Sequence, residues 1–212
     1  KTIHGVDKWE TVKRNIEEAV KIKRNKGYEC TIGLQMVLIP ECLDQVLDEA
    51  KFAVEAGVDY FVIKQYSNPV CENMVKVDKD FYSQDRVNKI LKEAESLSTK
   101  NTQIIPKWNI IHMDDVNKPY KNCVDLPLLI EGSGTGKFYP CGYHFRNEKY
   151  ELGDLTKQSF QEMVESERYW EIIKDVRDNL VVGKDCKGCC RHDKTNEFLW
   201  KYLHKPPHIN FI

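Results

Sequence analysis

A chain of 212 residues with 41% hydrophobic and 31% charged content is long enough to bury a real core, as one large or two small domains. Its net charge of −1 gives no general attraction to nucleic acid or to an anionic membrane, so neither is expected as a partner. No apolar run reaches transmembrane length and none reads as a signal peptide, while eight cysteines lie outside any dense small-domain framework. A reducing, cytoplasmic setting is therefore expected, with thiols that bind metal or stay free.

From Asp7, the stretch DKWETVKRNIEEAVKIKRNKG predicts a helix: an Asp-x-x-Glu capping box, Trp9, Val12, Ile16 and Val20 at helical spacing, and Gly27 as terminator. TIGLQMVLIP, residues 31–40, is a nearly continuous apolar run and predicts a strand buried on both faces of a parallel sheet. ECLDQVLDEAKFAVEAG predicts the next helix, ended by Gly57, and VDYFVIKQYS the next strand. Residues 83–98 repeat the helical spacing through Val87, Ile90, Leu91, Ala94 and Leu97, and QIIPKWNII predicts a third strand weakened by Pro106. The alternation is α/β, a parallel sheet with helices outside it, either an open sheet or part of a barrel. Three strands with three helices make a poor independent core, so further strands are expected on the N-terminal side.

Residues 113–122, MDDVNKPYKN, read as a polar linker and divide the chain into 1–115 and 116–212. Beyond it, EGSGTGK mimics a phosphate-binding loop but fails the pattern. Glu131 stands where the first glycine belongs, Phe138 where Ser or Thr belongs, and no helix start follows. The glycines instead predict a hairpin turn between LPLLIE and KFYPC. Ser159-x-x-Glu162 predicts a capped helix whose stripe runs from Phe160, Met163 and Val164 through Trp170, Ile173 and Val176. A last helix is expected from Asp193 to His204, before Pro206 and Pro207.

The chemistry lies in the cysteines. Cys30, Cys42 and Cys71 are scattered and read as small buried hydrophobes. Cys123, Cys141, Cys186, Cys189 and Cys190 concentrate in the second half. A short Cys-x-x-Cys or Cys-x-x-x-Cys turn brings two thiolates to one centre, and a hairpin strand can supply the other pair. Four thiolates suit zinc or iron–sulfur. Zinc modules usually show two tight knuckles, whereas here one pair is separated by seventeen residues, which lowers the zinc-stabilised binding module as an alternative. His144 and His192 are read as outer donors or exposed residues. Basic residues in KPYKN and KGCCRHDK are mixed with acidic ones, a weak basis for nucleic-acid binding.

Cys123, twelve residues, Gly136, four residues and Cys141, followed by a compact cysteine cluster, resembles the auxiliary-cluster region of radical S-adenosylmethionine enzymes, the SPASM or shorter twitch domain. FYPCGYHFRNEKYELGDLTKQSFQEM resembles that region's Pro-Cys strand, Leu-Gly-Asp-Leu step and helix. Residues 1–115 resemble the C-terminal half of the superfamily's partial (β/α)6 TIM-like barrel, with the His-Gly of Lys1–Gly5 in the segment after its third strand. The superfamily's Cys-x-x-x-Cys-x-x-Cys motif does not occur in this chain, so the resemblance implies the C-terminal part of a longer enzyme.

That resemblance implies one auxiliary 4Fe–4S cluster on Cys123, Cys141, Cys186 and either Cys189 or Cys190, with a slight preference for Cys190. In the complete enzyme it implies S-adenosylmethionine, a second 4Fe–4S cluster and hydrogen abstraction by a 5′-deoxyadenosyl radical. Implied partners are the missing N-terminal part, an electron donor such as flavodoxin or ferredoxin, and a small-molecule or peptide substrate. Barrel ligands gather at C-terminal strand ends, so Gln35, Lys64, Gln65 and Ser67 are the expected cofactor-binding residues, with Lys107 and Asn109 as further candidates.

Overall fold

A computed structural model gives the structure of residues 8–66, 76–78, 80–112, 117–126, 128–186 and 190–205. The chain divides into two compact units. One draws its described residues from 1–66 and 77–113, the other from 67–76 and 114–212.

The first unit opens with α1 (Trp9–Lys26), closed by Gly27 in the left-handed conformation. Its N-cap is Lys8, with no side-chain hydrogen bond; the capping box expected at Asp7 falls outside the described residues. Strand β1 (Gly33–Leu38) leads through a 3₁₀ turn (Pro40–Gln45) into α2 (Val46–Ala56), and Gly57 at φ +72° turns the chain into β2 (Tyr60–Gln65). The short α3 (Asp80–Ser83) and α4 (Asp85–Ser96) precede β3 (Gln103–Pro106). The expected third strand is shorter than predicted, because residues 108–111 coil into a helical turn, α5 (Trp108–Ile111).

The three strands form a parallel sheet in the order β1-β2-β3, with Gly33 beside Tyr60 and Tyr60 beside Gln103. Side chains alternate along each strand, so Phe61, Ile63 and Gln65 turn into the core that α2 and α4 cover. Leu38, Val46, Ala53, Ile63, Val87 and Leu91 are fully enclosed there. The opposite face, with Gln35, Val37, Tyr60 and Lys64, is less buried, and Val37 and Tyr60 are exposed. Burial on both faces, expected from the apolar run, is thus corrected: helices cover one side only among the described residues.

The second unit is α+β. Strands β4 (Glu131–Gly132) and β5 (Lys137–Tyr139) pair antiparallel across the glycine turn, confirming the hairpin, and β6 (Gly153–Asp154) adds a third strand. Gly136 takes φ +82°, where its N–H reaches Ser133 O at 3.1 Å. Ser159 caps α6 (Phe160–Glu165) through a full capping box with Glu162. The expected single helix breaks at Ser166, whose side chain caps α7 (Glu167–Asn179). Phe160 and Trp170 from the predicted stripe are exposed, while Met163, Tyr169, Ile173 and Val176 pack with Leu126 and Leu152 into a separate core. The last helix, α8 (Asp193–Leu203), follows the expected span closely.

Candidate metal centre

Cys141 stands just past β5, and the chain turns at once into a 3₁₀ segment over Gly142–His144. That turn aims the backbone N–H groups of Tyr143 and His144 at the Cys141 sulfur, which favours its thiolate. Burial outweighs them and pushes the thiol up to about 11, helped by Glu131 and by the neighbouring Cys186. Cys186 lies beyond α7, opposite Val182 in an isolated bridge, half-buried against the core of the unit. Burial raises its pKa too, while the Gly183 amide and Lys118 pull the other way.

Cys190 immediately precedes α8. Burial lifts it to about 12, the His192 amide opposes this, and the charges of Cys186 and Cys141 add to the rise. Cys123 is raised further still, first by burial and then by Asp125, and it also feels Cys190. The four thiols therefore converge from three separate stretches of the chain, Cys186 and Cys190 sharing one. Each has at least one N–H group that favours its thiolate: Tyr143 and His144 for Cys141, Gly183 for Cys186, His192 for Cys190, and the Asn196 amide for Cys123.

Around Cys123 the polar groups are buried and specific. Asp125 is fully enclosed and its Oδ2 lies 2.6 Å from His192 Nδ1. Facing a carboxylate oxygen, Nδ1 is the donor. That leaves the buried Nε2 of His192, an atom with no hydrogen-bond partner among the described residues. Cys123, Asp125 and His192 bring ligand atoms within 4.8 Å of one another. On the other side Lys118 and Asp193 form an enclosed ion pair at 2.8 Å, and Tyr120 donates its hydroxyl to the same carboxylate at 2.8 Å. Lys118 and Tyr120, read from the sequence as linker, are thus built into the second unit beside the thiols.

A tetrahedral zinc with bonds of about 2.3 Å holds its sulfurs only about 4 Å apart. Among the described residues no three thiols bring their sulfurs within 4.8 Å of one another. The thiols are near enough to raise one another's pKa. N–H groups aimed at sulfur, and an imidazole nitrogen without a partner among the described residues, fit a polynuclear cluster with hydrogen-bonded thiolates.

Residues 133–190 match the model of the SPASM family, an iron–sulfur cluster-binding domain. The SPASM resemblance is thereby shown. The matched segment takes in β5, Cys141, β6, α6, α7, Cys186 and Cys190. A solved structure, that of Streptococcus suis SuiB, is similar with a TM-score of 0.50 at 14% identity, over 76% of this chain and 40% of that one. The present chain thus spans less than half of that chain's length, and the likeness shows a mixed α/β fold with a parallel sheet. No curated protein matches.

The remaining expected residues do not form one group. Lys64 and Gln65, adjacent on β2, point to opposite faces: Gln65 is buried on the helix-covered side, and Lys64 shares the more open face with Gln35. Gln35 lies in the middle of β1 rather than at its end, Lys107 follows β3, and Asn109 sits in α5. Ser67, Cys71 and Cys189 lie outside the described residues, Cys30 is exposed and Cys42 is partly buried. His192 was expected as an outer donor or an exposed residue; it is enclosed. Asn196, fully buried on α8, carried no signal beyond its position one turn past His192.

Proposed function

We propose that this chain is part of a radical S-adenosylmethionine enzyme and that its second unit holds an auxiliary 4Fe–4S cluster through Cys123, Cys141, Cys186 and Cys190. The observation that carries this reading is the convergence of four partly buried thiols, three of them within or at the end of a segment matching an iron–sulfur domain. Bound there, the cluster would supply one-electron transfer or an iron site for substrate. The protein's part is to deliver deprotonated sulfurs, aim N–H groups at them and keep water away. Lys118, enclosed beside Cys186, offsets negative charge gathered at the centre.

The first unit supports the wider part of the proposal. A parallel sheet covered by helices on one side and more open on the other is the arrangement of a barrel segment whose inner face meets ligand. Gln35 and Lys64 share that face and are the residues proposed to meet S-adenosylmethionine or substrate, hydrogen abstraction being the reaction of the complete enzyme. An electron donor such as flavodoxin or ferredoxin belongs to the same proposal.

Purification without oxygen, followed by visible and electron paramagnetic resonance spectra before and after dithionite, tests the cluster. The expected result is a broad visible band that bleaches as a paramagnetic signal grows. Colourless protein carrying stoichiometric zinc would contradict the reading and favour the zinc-stabilised module instead.

A further inference from the structure

Asn196 sits on α8, 1% exposed, with all its hydrogen-bonding capacity turned toward the Cys123 loop. Its Oδ1 accepts from two backbone amides, Val124 N at 2.5 Å and Asp125 N at 3.0 Å. Only an acceptor satisfies two N–H donors, so the side-chain orientation is fixed and Nδ2 must face the other way. There it donates to Asp125 Oδ1 at 3.2 Å and to the Cys123 sulfur at 3.5 Å. The amide is held by partners on both ends, and Asp125 is held in turn by His192 at 2.6 Å. A polar side chain is costly to enclose unless every group is used, and here each is used on one loop.

We propose that Asn196 is a positioning residue of the metal centre: through Oδ1 it sets the backbone that carries Cys123, and through Nδ2 it donates a hydrogen bond to the Cys123 thiolate. This rests on the cluster reading above and adds to it a determinant of that cluster's reduction potential. A hydrogen bond to a ligating sulfur spreads its negative charge, which favours the reduced state and raises the potential. It also holds one ligand in place before metal arrives, which favours uptake. Asn196 is linked to the centre through Cys123 and touches no reacting atom itself.

The test uses the full chain, reconstituted without oxygen, with ¹⁵N in the asparagine side-chain amides. Pulsed electron paramagnetic resonance of the reduced protein is expected to show a weak ¹⁵N coupling that disappears in Asn196→Asp, which keeps an oxygen for the two amides but has no donor for sulfur. Asn196→Leu, similar in shape and uncharged, is expected to lower the midpoint potential and to release iron to a chelator with about tenfold or greater loss of affinity. No ¹⁵N coupling in the wild-type chain, or an unchanged potential in Asn196→Leu at full iron content, overturns the assignment. Should Asn196→Leu not fold, the coupling in the wild-type chain decides alone. Wild-type protein that holds no iron or sulfide removes the cluster reading itself, and is thereby distinguishable from a cluster that ignores Asn196.

Discussion

Cys141 shows how burial and backbone compete at one sulfur. Two amides aimed at it favour the thiolate, yet enclosure wins and holds the thiol up to about 11, above its ordinary 9.0. A group whose folded pKa is raised adds stability below its ordinary value and loses it as pH climbs through the folded one. Metal-free protein is therefore expected to lose stability between about pH 9 and pH 11 in chemical denaturation, and loaded protein to lack that fall because metal takes the thiolate charge. The same protonation means that loading at neutral pH releases protons, measurable in weak buffer. Cys141→Ala is expected to drop most of the bound iron while leaving the helix content unchanged; full iron in that variant would remove Cys141 from the ligand set. Lys118→Met leaves Asp193 enclosed with only Tyr120, and should cost about 3–5 kcal/mol in a denaturant titration.

At the scale of elements, caps and turns decide where the second unit bends. Ser159 and Glu162 satisfy each other's backbone groups at the start of α6, so Ser159→Ala should destabilise by about 1 kcal/mol. Gly136→Ala should do more harm than its size implies, since its φ is +82° and an added Cβ would sit 2.7 Å from Thr156 Cγ2. A lower unfolding midpoint for both variants, with loosened packing of β4, β5 and β6, is the expected outcome. These elements were legible because their signals are local: a capping box, a glycine run, glycines after helices. The break at Ser166 was not, because no Glu or Gln stands three residues on and the apolar stripe continues across it. The two-residue β6 escaped for another reason, being held by pairing with β5 rather than by any pattern of its own.

For the whole molecule, the apolar runs identified a parallel sheet and its helices, since buried strands need such runs whatever their partners. They overstated burial, because period-two exposure is masked when residues such as Val37 and Tyr60 remain apolar on the open face. The thiols' convergence was legible in part from spacing, a tight cysteine pair plus a hairpin, while the kind of centre and its ligand set came only from the resemblance. The buried supports, Asp125, His192, Asn196 and the Lys118–Asp193 pair, were hidden because polar residues near a loop usually face water. Their enclosure in the fold gives them meaning. The measurement that bears most directly on the account is chemical analysis of iron, acid-labile sulfide and zinc per chain, on protein purified without oxygen. The account predicts about four iron and four sulfide with little zinc; one zinc and no sulfide per chain would contradict it.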